Sequence, residues 1–223
     1  IYFSLPLIED CLSFCSCVIT TRSIEITPKG IPISKITSFE NASRRIFMSA
    51  TLADDSVFVS AIGLNKDSIT DIITPDKAND IGDRLIIFPQ HLNSRISDEE
   101  VKEKILLLSE KYNVGVIVPY RDETGKRIVT TNNIERVAAT LREQKYIGLA
   151  VFVNRYNGID LPNDACRLLV IDNLPPLRSN YDKYVQSINP TSDLLLREQV
   201  QRIEQGMGRG VRSNSDSCCV VLM

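Results

Sequence analysis

"DEEVKEKILLLSEKYNVGVIVPY", Asp98 to Tyr120, changes character partway along. As far as Asn113 it mixes charged and apolar residues in the manner of an amphipathic helix. From Val114 to Val118 it becomes an unbroken apolar run of strand length. A strand with no polar alternation is covered on both faces, which places it inside a parallel sheet with helices on either side. The pattern repeats downstream. "TNNIERVAATLREQK", Thr131 to Lys145, sets Ile134, Val137, Ala138 and Leu141 at helical steps, and "IGLAVFVN", Ile147 to Asn154, is the next strand. "CRLLVID", Cys166 to Asp172, follows, then a long helix expected from about Asp193 to Arg209, and finally the strand "CCVVLM", Cys218 to Met223. The expected class is α/β, a parallel sheet flanked by helices.

Upstream the chain reads differently. "SCVITTRSIEIT", Ser16 to Thr27, is rich in β-branched residues and reads as strand, turn, strand. Ile46 to Met48 is expected to be a short strand running into a small-residue turn, with Thr51 capping a following helix. The stretch from Asp67 to Ser97, interrupted by Pro75, Gly82 and Pro89, reads as an extended crossing between lobes.

Composition narrows the function classes. With 26 Lys plus Arg against 28 Asp plus Glu, the formal net charge of -2 argues against broad polyelectrolyte binding, though not against a local basic groove. No apolar run approaches the roughly 20 residues that span a bilayer, and the start lacks a secretory signal, so no membrane partner is expected and the expected location is cytoplasmic. The cysteines Cys11, Cys15, Cys17, Cys166, Cys218 and Cys219 read as reduced thiols. "CLSFCSC" offers three metal ligands without a fourth, and His91 is the sole histidine, so no metal site is expected. Ile1 is not an initiator methionine and the chain stops inside a strand, so a piece of a longer protein is expected.

Three turns beside strands are chemically odd, and in parallel sheets ligands gather beyond strand ends. In "QGMGRGVR", Gln205 to Arg212, helical continuation would put Gln205, Arg209 and Arg212 on one stripe, with Gly206, Gly208 and Gly210 among them. Three interior glycines would cost a helix about 2 to 3 kcal/mol, a penalty expected to reflect close approach of a backbone or ligand. The alternative is a frayed helix end with solvated arginines. In "NRYNGIDLP", Gly158 permits unusual backbone angles and Asp160 offers an acceptor, while Arg155 and Tyr156 stand where a phosphate or base would pass. A plain Asn-Gly turn is the alternative. In "SAT", Ser49 to Thr51, two hydroxyls relay hydrogen bonds or simply cap a helix.

Taken in order, "SATL", "NRYNGIDLP" and "QRIEQGMGRGVR" resemble motifs III, V and VI of superfamily-two helicases of the DEAD/DEAH-box type, with "GVIVPY" in the place of motif IV. The last fits Q-x-x-G-R-x-x-R at Gln205, Gly208, Arg209 and Arg212, and "DNLPP" is similar to the repair-helicase branch. The resemblance implies two RecA-like domains of the P-loop NTPase class clamping ATP and Mg2+. Residues 1–78 would be the tail of the first and 79–223 most of the second, the helicase C-terminal domain. It implies Arg209 and Arg212 at the γ-phosphate, with Gln205 placing water or phosphate and Gly208, Gly158 and Asp160 near the nucleotide. Ser49, Ala50 and Thr51 would couple nucleotide state to strand grip, and Arg155, Tyr156 and Arg121 would face DNA or RNA. No G-x-x-x-x-G-K-[ST] or D-E-x-[DH] match is present, so most of the nucleotide site is expected on the N-terminal RecA-like domain as partner, and this fragment alone is expected to be inactive. The competing expectation is a non-catalytic binding or signalling module on the same fold.

Overall fold

A computed structural model of the protein describes residues 5–30, 33–48, 59, 62–69, 73, 82–120, 128–129, 133–143, 145–156, 161, 165–208, 210–211 and 216–223. Contacts divide the chain into two units, residues 1–74 with 178–192, and residues 75–177 with 193–223.

The first unit is built on an antiparallel hairpin of β1 (Cys15–Ile19) and β2 (Ile24–Pro28), in register Cys15 with Pro28 and Ile19 with Ile24. The Thr20 hydroxyl closes the turn by accepting from the Ser23 amide at 2.9 Å. Two single-turn helices flank the hairpin in sequence, α1 (Leu5–Ile8) and α2 (Thr37–Glu40). The expected strand at Ile46–Met48 is not formed. Those residues lack strand pairing, and Ile46 and Met48 are 86% and 91% exposed. An apolar run becomes a strand only when a neighbour supplies ladder hydrogen bonds, and among the described residues none does. Instead Arg45 donates to the Phe39 and Glu40 carbonyls at 2.9 and 3.0 Å, and the Phe47 and Phe39 rings lie 6.3 Å apart.

Among its described residues the second unit holds six parallel strands: β3 (Asp83–Ile87), β4 (Val114–Val118), β5 (Ile128–Val129), β6 (Leu149–Val153), β7 (Leu168–Ile171) and β8 (Ser217–Leu222). Their spatial order is β3-β8-β7-β4-β6-β5. The α/β class expected from the alternating pattern is the one observed, with β3 as an addition: part of the stretch read as a crossing is an edge strand pairing with β8. Between these strands run α3 (Pro89–Leu92), α4 (Asp98–Ser109), α5 (Ile134–Arg142), α6 (Asn180–Ile188) and α7 (Asp193–Met207).

Period-two geometry sends alternate strand residues to opposite faces. On one face Ile117, Phe152, Leu169, Ile171 and Val220 pack with Ala138 and Leu141 of α5 and Ile203 and Met207 of α7. On the other, Val114, Val170 and Val221 pack with Val101 and Ile105 of α4. The central strands are thus covered on both sides, as continuous apolar runs require. α4 begins at a capping box in which the Ser97 hydroxyl accepts from the Glu100 amide and the Glu100 carboxylate accepts from the Ser97 amide.

α6 follows β7 in sequence but belongs to the first unit, where it packs on both hairpin strands. The Glu25 carboxylate on β2 accepts from the amides of Asn180 and Tyr181 at 2.8 and 3.1 Å. These first-turn donors have no intrahelical acceptor, and they hold the carboxyl below its ordinary value of 4.5.

Candidate functional site

α7 carries the motif-like stretch at its end, and the shape of that end is set by packing. Leu195, Gln199 and Gly206 are buried along one face, with Ile203 and Met207 against the core. The helix stops at Met207, and the Gly208 amide closes its last turn on the Glu204 carbonyl at 3.1 Å. The helix expected to run to about Arg209 thus ends at Met207, and the stripe expected through Gln205, Arg209 and Arg212 falls in part on residues outside those described. The expected three-glycine penalty also shrinks to one residue. Only Gly206 lies within the helix, in its last turn, where the cost against alanine is at most the interior value of about 0.8 to 1 kcal/mol.

Packing accounts for two of these glycines. A Cβ on Gly206 would lie 3.3 Å from Tyr156 Cδ1 and 3.4 Å from Ile171 Cδ1, so its absence lets α7 approach β7 and the turn after β6. A Cβ on Gly210 would stand 2.6 Å from Cys218 Sγ, inside any tolerable contact. Val211 is 2% exposed and Asp216 is buried, so the described residues around Arg209 and Arg212 are anchored in the core. Arg209 and Arg212 themselves lie outside the described residues, as do Gly158, Asp160, Ser49, Ala50, Thr51 and Arg121.

Gln205 is half-buried, and its Oε1 is enclosed without a hydrogen-bond donor among the described residues. An acceptor left this way costs about 1 to 3 kcal/mol until a donor arrives. It sits on the last turn of α7.

The turn after β6 begins with Asn154 in the left-handed region at φ 51, its amide donating to the Val118 carbonyl at 2.7 Å. Arg155 is half-buried. Tyr156 departs from expectation: it is 1% exposed, inside the core beside Gly206, and presents no face to a passing base. A large ring just after a strand that runs into the core completes that core. Burial pushes its phenol up to about 12, with the Asp172 carboxylate adding to the rise and the Arg202 guanidinium opposing it. The Arg202 guanidinium lies 5.1 Å above the ring, donating to the Asn154 side-chain oxygen at 2.9 Å and to the Pro176 carbonyl. Gln199, one turn earlier, donates to the Pro175 carbonyl at 2.7 Å. After β7, Asp172 pairs with Lys102 at 3.0 Å and accepts from the Asn173 amide group at 2.9 Å.

"QGMGRGVR" reaches both ends of the sheet: its Gly206 packs on Tyr156 of the turn after β6, at the carboxyl ends of the strands, whereas its Gly210 meets Cys218 near the amino end of β8. Sequence reasoning missed Arg202 and Asn154. Arg202 stands one turn before Gln205 on α7, yet nothing local marks its partners.

The family model described as a helicase C-terminal domain matches residues 90–223, and the chain belongs to that family. Comparison with curated proteins finds no match. Among solved structures, the chain is similar to XPD helicase, with 18% identity, a TM-score of 0.59, 99% of this chain covered and 45% of that one. It is similar also to XPD apo, with 17% identity and a TM-score of 0.60 over 99% of this chain and 51% of that one. The fold is shared at that level, and the chain spans about half the length of the solved chains it matches. Among the described residues no helix is long and apolar enough to cross a membrane.

Proposed function

We propose that this chain works as the arginine-donating half of an ATP-dependent helicase or translocase acting on DNA or RNA. Residues 79–223 act as the second RecA-like domain, and residues 1–78 as the tail of the first, whose Ser49, Ala50 and Thr51 couple nucleotide state to strand grip. ATP and Mg2+ are held mainly by an N-terminal RecA-like domain with a P-loop.

The observation that carries the reading is Gln205. Its enclosed Oε1 lacks a donor among the described residues, on the last turn of the helix that leads into the glycine-arginine stretch. A half-buried amide whose enclosed Oε1 has no donor among the described residues, with two guanidinium groups nearby in sequence, suits a water and phosphate oxygens brought from elsewhere, so the residues present fit half of a nucleotide site. When bound, the nucleotide supplies the phosphoanhydride bond that is broken. Gln205 accepts from the attacking water and orients it. Arg209 and Arg212 oppose charge developing on the phosphoryl oxygens, a contribution worth about 10³ to 10⁵ in rate for fingers of this type. Gly208 follows the last helical residue, Met207, and its amide closes the final turn. Gly158 and Asp160 are assigned to nucleotide contact, and Arg155 and Arg121 to the nucleic-acid backbone. Tyr156 supports this set from the core.

In the full-length protein, Arg212→Ala should lower ATP turnover by at least about 10³ while changing the KM for ATP far less, because the contact matters chiefly in the transition state. Equal loss in both would mark a binding role. ATP turnover by residues 1–223 alone would refute the split site.

A further inference from the structure

α7 receives the chain from three directions. At its start, Asp193 is the first residue to return to the second unit after the 178–192 excursion through the first. The departing segment, just before Arg178, is also fastened to α7, since Gln199 holds the Pro175 carbonyl and Arg202 the Pro176 carbonyl. The turn after β6 is the third, held through the Asn154 side chain. Gln205 is the next turn along the same helix. A rigid helix shifts as one body, so a displacement entering at any of the three reaches the end bearing the glycine-arginine stretch.

We infer that Arg202 is a positioning residue that couples the Asn154–Tyr156 turn and the Pro175–Pro176 segment to the catalytic end of α7, so that nucleic acid at the turn adjusts Gln205 and the arginines beyond it. This rests on the helicase reading above. The chemistry suits the task. A planar guanidinium with several fixed donors reaches two acceptors on separate segments while lying over the Tyr156 ring, which a lysine cannot do. Asn154 adopts φ 51, a backbone state that Asn tolerates and Gly adopts freely, so its side chain can be removed without straining the turn.

The test uses full-length protein and compares ATP turnover with and without single-stranded nucleic acid. Asn154→Gly should leave turnover without nucleic acid and the KM for ATP within about twofold of wild type, yet lower the stimulated rate by about 10-fold, within the 5- to 150-fold span of ordinary allosteric coupling. Asn154→Asp keeps an acceptor facing Arg202 and should retain stimulation. Arg202→Lys should behave like Asn154→Gly. Wild-type stimulation in Asn154→Gly, or a parallel fall of basal and stimulated rates, overturns the coupling role while leaving the helicase reading standing. A wild-type protein that hydrolyses no ATP with either DNA or RNA overturns the helicase reading, and the coupling role with it.

Discussion

Gly210 and Cys218 are packed so closely that a methyl group on the glycine would lie 2.6 Å from the cysteine sulfur. The sulfur is buried on a one-carbon stem in the middle of the core, so it cannot swing aside as the tip of a long side chain would. Overpacking of this kind costs about 1 to 3 kcal/mol. Gly210→Ala is expected to lower the unfolding free energy by that amount, read by urea titration. Because Cys218→Ala removes the clashing atom, the double variant should recover part of the loss. Simple additivity of the two effects would show that the contact is not the cause.

Tyr156 gives a signature at high pH. A phenol whose folded-state value is pushed up to about 12 holds its proton while the unfolded chain releases one near 10. The folded state then binds more protons between these limits, and stability falls as pH rises from about 10 to 12. Ultraviolet titration of the folded protein should show one of the seven tyrosines ionising late, and Tyr156→Phe should abolish that late step. A late step that survives the substitution assigns it to another residue.

Glu25 predicts the opposite slope. Amides at the start of α6 hold its carboxyl below the ordinary value, so the contact contributes stability above about pH 4.5 that is lost as pH falls through the lowered value. Glu25→Gln should cost about 0.3 to 1 kcal/mol at neutral pH, the range for a charge at a helix start. The gap from wild type should close in strong acid. A gap that stays constant into acid would mean that the charge contributes nothing.

The legible parts of the fold were those where burial alone dictates the residue pattern. β4, β6, β7 and β8 are continuous apolar runs because the sheet is covered on both faces, and α4 was legible as an amphipathic stretch whose apolar face is buried. β3 was read as a crossing because its exposed edge position tolerates Asp83 and Arg84. α6 escaped notice because none of its residues is buried. Ile46–Met48 was over-read because three apolar residues say nothing about a pairing partner. At the site, Gln205 was visible through the spacing of its neighbours. Arg202 was not, since its acceptors lie 48 and 26 residues away and meet it only after folding. The burial of Tyr156 was hidden for a related reason: an aromatic residue after a strand fits a surface platform and a core plug equally well until its neighbours are known.

The membership of α6 bears on how the protein can be divided for study. A clone trimmed to residues 79–223 would keep α6 but discard the hairpin that covers it, leaving the Asn180 and Tyr181 amides without the Glu25 carboxylate. One cut cannot separate the two units, because the chain passes between them three times. A tractable piece of the sheet unit calls for the 178–192 excursion to be replaced by a short splice from Leu177 to Asp193.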